Sequence, residues 1–115
     1  MKNKLDITNK AIILFMLCFI LAGADTFMYS NPIVKKANIY YKNKKFKKSL
    51  QLYLKAEKKL EDKKMISFNL ANAYYKTNDF DSAIKHFESS LRDNDDTFNA
   101  KIMFNIGNSY FKKST

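Results

Sequence analysis

Catalytic raw material is scarce in this chain. Its 115 residues include one cysteine, one histidine, one proline, two glycines and no tryptophan. A lone cysteine allows no internal disulfide, and two glycines are too few for a phosphate-cradling loop. His86 has no cysteine or carboxylate at ligand spacing beside it, so it reads as a solvated surface histidine and not a metal ligand. No nucleophile–base pair and no paired carboxylates can be assembled from what remains. These shortages point away from an enzyme, and they imply no cofactor and no metal. Arginine is nearly missing as well: 20 of the 21 Lys and Arg residues are Lys. Lys, Asn and Ile together make 42 of the 115 residues, the coding bias of an A/T-rich genome. The net charge of +10 is therefore weak support for a polyanion partner, and nucleic acid ranks below other partners.

One long apolar run is present. Residues 11–24, AIILFMLCFILAGA, hold no charge; Lys2, Lys4 and Lys10 precede them, and Ala22-Gly23-Ala24 closes the run. A positive start, an apolar middle and A-x-A spacing are the three parts of a secretory signal peptide. Fourteen residues of helix reach about 21 Å, against roughly 30 Å for a bilayer's hydrocarbon core. That shortfall favours cleavage after Ala24 over retention as a membrane anchor. Either outcome leaves the lysines cytoplasmic and exports the remainder to the periplasm or the outer face of the inner membrane. Cys18 follows Phe15-Met16-Leu17, where lipid attachment wants a small residue, so it is not a lipidation site. The expected organisation is a signal over 1–24, a linker over 25–29 and one domain over 30–115.

That domain repeats itself. At an offset of 34, Ala37 falls on Ala71, Tyr40 on Tyr74, Tyr41 on Tyr75, Lys42 on Lys76 and Phe46 on Phe80. The match continues with Ser49 on Ala83, Leu50 on Ile84, Tyr53 on Phe87 and Ala56 on Ser90. A third copy begins at an offset of 36, where FNLANAYYK (68–76) recurs as FNIGNSYFK (104–112). The two additional residues belong to the loop around Asp93-Asn94-Asp95-Asp96.

Helical spacing runs through each copy. Ile66, Leu70, Ala73 and Tyr74 share one face, and Phe80, Ala83, Ile84, Phe87 and Leu91 trace a second stripe. Asn78 and Asp79 lie between the stripes, where a turn and a helix N-cap are wanted. Phe46, Leu50, Tyr53, Leu54 and Leu60 repeat the second stripe in the first copy. Each unit is thus a helix, a turn and a helix, which must stack on neighbours to bury its faces. The expected units are 30–63, 64–99 and an incomplete 100–115.

Over residues 30–115 this pattern resembles the tetratricopeptide repeat (TPR). In that family a small residue marks a close approach of two helices, matched by Ala37, Ala71 and Gly107. An aromatic follows three residues later, matched by Tyr40, Tyr74 and Tyr110. Phe46 and Phe80 match the aromatic that opens the second helix, Ser49 and Ala83 its small residue, Tyr53 and Phe87 its late aromatic. Ile33, Ser67 and Met103 replace the usual early Trp, and the Pro that ends a repeat is missing. The resemblance implies an all-α fold of antiparallel helix-turn-helix repeats stacked as a short right-handed solenoid, here preceded by an N-terminal apolar export helix.

First helices of peptide-binding members line a concave groove. The resemblance puts Asn38, Tyr41, Asn69, Asn72, Tyr75, Lys101 and Asn105 along it. Asn38, Asn69 and Lys101 fall where some members hold a ligand's terminal carboxylate, whereas Val34 and Asn105 stand where those members carry Lys and Arg. Of the pairs Tyr40-Tyr41 and Tyr74-Tyr75, one member belongs to the core and the other to the groove. The acidic loop over 93–96 lacks the Gly and closing Glu of a calcium loop and reads as a plain connector. The last helix carries Ile102, Met103, Phe104, Ile106, Tyr110 and Phe111, apolar on more than one side, with Met103, Phe104, Tyr110 and Phe111 as its candidate interface. Either it packs on another molecule, a second copy included, or the chain is a shortened form of a longer array.

Charge is uneven along the array. Residues 30–63 hold eleven lysines and three acids, a net of +8, while residues 64–99 carry a net of −2. Lys42, Lys44, Lys45, Lys47 and Lys48 fill the first unit's turn, solvated by default, with anionic lipid as the functional rival. An export signal followed by a few repeats with these motifs is similar to the exported TPR proteins of bacterial aerotolerance (Bat) operons. That resemblance implies an envelope adaptor working beside membrane-anchored von Willebrand A-type proteins. The rival readings are a membrane-surface protein using the first unit's lysines and a remnant of a longer TPR protein.

Overall fold

A computed structural model describes residues 6–15 and 31–115. They are helical, with no strand among them. The chain divides into two compact units, Met1–Pro32 and Ile33–Thr115.

In the first unit, residues 6–15 form helix α1. Lys10 and Asp6 pair across one turn at 3.2 Å, and Ile7, Ile12, Ile13, Leu14 and Phe15 are exposed. Among the described residues no helix is long and apolar enough to cross a membrane. The rest of the expected signal, Cys18 and the cleavage position at Ala24, lies outside the described residues, as does the linker over 25–29.

The second unit holds α2 (Pro32–Lys42), α3 (Phe46–Glu57), α4 (Lys64–Lys76), α5 (Phe80–Ser89) and α6 (Asp96–Ser114). Pro32 opens α2 where its missing N–H has no helical partner to lose. Two turns of the same design separate the paired helices. Lys44 (φ 59°) and Asn78 (φ 65°) adopt the left-handed conformation at positions 34 apart. After each, a backbone N–H reaches back five residues, Lys45 to Tyr40 at 2.9 Å and Asp79 to Tyr74 at 3.0 Å. Lys44 N–H to Tyr41 and Asn78 N–H to Tyr75 complete the Schellman pattern, which satisfies the carbonyls at a helix end. Asp79 then caps α5 by accepting from Ser82 N–H at 3.1 Å, as the Asn78-Asp79 pair predicts. The longer third loop turns at Asn94 (φ 59°), and Asp95 caps α6 by accepting from Phe98 N–H at 3.1 Å. Asn99 closes that loop onto Arg92 with two bonds, its amide donating to the Arg92 carbonyl and accepting from the Arg92 N–H. Helix α6 therefore starts at Asp96, inside the stretch the sequence assigns to the second unit.

Two buried clusters make the core. Val34, Ala37, Tyr53, Ala56, Ile66, Leu70 and Ala73 form one; Ala71, Ala83, Phe87 and Ile102 form the other. Helix α4 contributes to both, through Ile66, Leu70 and Ala73 on one side and Ala71 on the other. Close approach at the small residues is direct: Ser49 Oγ donates to the Ala37 carbonyl at 2.9 Å, and Ala71 and Ala83 are wholly buried in one cluster. Leu60 and Leu91, expected on helical stripes, pack partly buried from just beyond the ends of α3 and α5.

Gly107 departs from expectation. It aligns with Ala37 and Ala71 yet is exposed, and a Cβ placed on it meets nothing within 4 Å. In the first two units the second helix covers the small residue. Among the described residues no second helix covers Gly107.

Candidate functional site

The first helix of each unit contributes to two adjoining hollows. One, of about 210 Å³, is lined by Asn38, Tyr41 and Lys42 of α2, Tyr53 of α3, and Asn69 and Asn72 of α4. The other, of about 200 Å³, is lined by Tyr41, Asn72, Tyr75, Lys76, Phe87, Asn105 and Asn108. Tyr41 and Asn72 belong to both, so the hollows adjoin along a groove face formed by α2, α4 and α6.

Groove positions follow from helical period and burial. Within each Tyr-Tyr pair the second residue lines the groove and the first turns away. Tyr40 lies under the Lys48 ammonium at 5.8 Å, and Tyr74 stacks on the His86 ring at 5.2 Å. Phe46 and Phe80 brace the groove tyrosines edge-on, Tyr41 at 5.1 Å and Tyr75 at 5.5 Å.

Amide groups dominate the polar lining. Asn38 Oδ1 accepts from the Tyr53 hydroxyl at 2.5 Å, and Asn72 donates to the Phe68 carbonyl at 3.0 Å. Those two amides are held in place with capacity left over. Burial raises the Tyr41 pKa, and burial, aided by nearby Tyr41 and opposed by a hydrogen bond with Ser49, raises that of Tyr53. Both phenols stay neutral at physiological pH; Tyr53 gives its O–H to Asn38, and Tyr41 can offer its own to a ligand. Neutral amides, phenols and the two ammonium groups of Lys42 and Lys76 suit an extended polypeptide, whose backbone offers a donor and an acceptor at each residue.

Six of the seven sequence candidates line this groove: Asn38, Tyr41, Asn69, Asn72, Tyr75 and Asn105. Lys101 lines neither hollow; its ammonium lies 5.2 Å over the ring of Phe68. Lys42, Lys76 and Asn108 were missed, although Lys42 and Lys76 repeat at the offset of 34 and Asn108 repeats Asn72 at 36. Met103, Phe104, Tyr110 and Phe111 are exposed on α6, and with Gly107 they fall at i, i+1, i+4, i+7 and i+8, a single stripe.

Two other candidates have structural settings. His86 is half-buried and stacked on Tyr74, not freely solvated, because α5 lays it against α4. In the acidic loop, Asp95 caps α6 and approaches Arg92 at 3.8 Å. Among the described residues no three His, Cys, Asp or Glu side chains gather as a metal-ion site.

Residues 66–96, which cover nearly all of α4, its turn, α5 and the following loop, match the family described as Tetratricopeptide repeat. The match supports TPR identity for this hairpin, and repeats of this family typically serve non-enzymatic protein–protein interaction. No curated protein is significantly similar to the chain.

Proposed function

We propose that this chain is an exported TPR adaptor whose α2–α4–α6 groove holds an extended segment of a partner protein. The carrying observation is the pair of adjoining hollows that share Tyr41 and Asn72 and are lined by repeated Asn, Tyr and Lys positions. Asn72 lies at the junction, so an amide there engages a peptide spanning both hollows. Export is supported by Lys2, Lys4 and Lys10 before the uncharged run and by the A-x-A at its end. The place of action is the periplasm or the outer face of the inner membrane. Resemblance to the Bat operon proteins names the partner class: membrane-anchored von Willebrand A-type proteins within an envelope complex.

Titration calorimetry with the soluble domain of such a protein tests the reading. Wild-type chain binds, and Asn72→Arg, which fills the junction, weakens binding tenfold or more (about 1.4 kcal/mol). Glu88→Arg, on the exposed side of α5, leaves it unchanged. Equal affinity of wild type and Asn72→Arg removes the groove from the interaction. Recovery of a tagged chain only in the cytoplasmic fraction removes export.

A further inference from the structure

The positive charge of this protein is concentrated in one hairpin. Residues 31–56 carry eight lysines and no acid, whereas residues 57–115 carry ten basic and nine acidic residues. A coding bias toward lysine acts on both stretches alike and does not remove acids from the first. Lys35, Lys36, Lys42, Lys44, Lys45, Lys47, Lys48 and Lys55 are all exposed. None takes part in an ion pair among the described residues.

The second repeat shows what the same positions hold when they serve the fold. Lys44, Lys45, Lys47 and Lys48 align with Asn78, Asp79, Asp81 and Ser82. There, Asn78 takes the left-handed conformation that asparagine tolerates, and Asp79 caps α5 while accepting from Ser82 Oγ at 2.8 Å. Asp81 puts an acid in the first turn, where the helix dipole favours one. In the first repeat Lys44 takes φ 59° in place of asparagine, Lys45 gives α3 no side-chain cap, and the first turn of α3 has no acid. Lys44, Lys45 and Lys47 are thus residues the local structure disfavours. Positions that break local rules with no gain in packing are where function is expected.

We propose that the turn edge of the first hairpin, Lys42, Lys44, Lys45, Lys47 and Lys48, docks on a membrane surface rich in anionic lipid. Flexible, hydrated ammonium groups without a single arginine suit a diffuse layer of headgroups better than bidentate recognition of one phosphate. Only residues 25–30 separate the uncharged run over 11–24 from this hairpin. Six residues span at most about 20 Å and α2 adds about 16 Å, so a run lodged in a bilayer tethers the lysine edge within about 40 Å of the surface and raises its effective concentration there. In a chain that retains its apolar run, the run and the polybasic patch act on the same surface; in a cleaved chain the patch acts alone. Lys42 also lines the groove, whereas Lys44, Lys45, Lys47 and Lys48 line neither hollow, so a groove variant such as Asn72→Arg leaves those four intact.

Lysine acetylation footprinting on the full chain, read by mass spectrometry, tests the proposal lysine by lysine. Vesicles of phosphatidylcholine are compared with vesicles in which about a third of the lipid is phosphatidylglycerol. Anionic vesicles at low salt slow acetylation of the five lysines roughly fivefold or more, while Lys101 and Lys112 are unaffected. Protection disappears at about 0.5 M salt and is absent with neutral vesicles. The double variant Lys45→Asp, Lys48→Ser, which copies the cap of the second repeat, separates fold from function. It melts higher than wild type, and its added affinity for anionic over neutral vesicles falls roughly a hundredfold. Uniform protection of all lysines, protection by neutral vesicles, or unchanged anionic preference in the variant overturns the proposal. So does protection by polyglutamate or single-stranded DNA with none by anionic vesicles, which assigns the surface to another class of partner.

Discussion

One repeat position carries opposite consequences in two units. Ala71 is wholly buried among Ala83, Phe87 and Ile102, whereas Gly107 stands in open space. Ala71→Trp therefore forces bulk into a closed contact, which costs about 1–3 kcal/mol or more, a large share of a small domain's stability. Gly107→Ala does the reverse: it adds a methyl where nothing is touched and removes glycine's freedom from a helix interior. The expected gain is about 0.5–1 kcal/mol. Circular dichroism melting checks both, with the midpoint falling for the first and rising for the second. Equal signs would show that the repeat register is wrong. His86 supplies a second residue-scale expectation. Burial lowers its pKa below 6.5, with Lys85 adding to the shift and Glu57 and Asp79 opposing it. The unfolded chain then takes up the proton first, at its ordinary value, so stability declines as pH falls through 6.5 and levels off below the folded value. Melting midpoints measured across that window should drop toward acid, and His86→Gln should flatten the drop. A wild-type midpoint that rises toward acid would reverse the sign of the shift.

Helices were legible from sequence to the degree that each carries its own signals. Asn78-Asp79 announced the turn and the cap because both effects are local: one residue tolerates positive φ, and the next accepts from an N–H three positions on. The first repeat gave no such announcement. Lys44 and Lys45 make the same turn with residues that signal none, and only the offset of 34 revealed it. Groove residues such as Asn69, Asn72 and Tyr75 came from the resemblance to the repeat family, not from local signals, and the two hollows are lined by them. Lys101 and Gly107 were misread because period fixes a face and not its cover. Lys101 is long enough to reach Phe68, and among the described residues no second helix covers Gly107. Around Gly107, Met103, Phe104, Tyr110 and Phe111 remain 60, 69, 54 and 66% exposed. Burying a few hundred Å² of such surface at roughly 25 cal/mol per Å² gives several kcal/mol before ordering costs. A second copy offers the identical stripe, and two-fold pairing of like faces is the commonest closed assembly. Light scattering on residues 25–115 should show mass rising with concentration, and Met103→Lys with Phe111→Glu should return it to the monomer. A wild-type chain that stays monomeric at high concentration removes this pairing.

Across the whole second unit, α3 packs on α4, α4 on α5 and α5 on α6, so contacts run between neighbours along the chain. Charge is distributed on the same scale, with the lysine edge on the first hairpin and two acids of the second hairpin engaged within the fold. Asp79 holds Ser82, and Asp81 pairs with Lys113. The groove crosses this gradient, bounded by Lys42 and Lys76 along its turn side.

Because α4 alone supplies buried residues to both clusters, it cannot open without emptying the two of them together. Unzipping α2, or α6, leaves the opposite cluster filled. Amide hydrogen exchange should record that asymmetry as a ladder of opening free energies. Protons of α4 between Ile66 and Ala73 should exchange last, at the rate of global unfolding, while those of α6 beyond Gly107 exchange through fraying at far lower cost. Replacing Leu70 with Ala should lower the top rung and leave the fraying of α6 where it was, whereas Ile102→Val should lower the top rung together with those of α6.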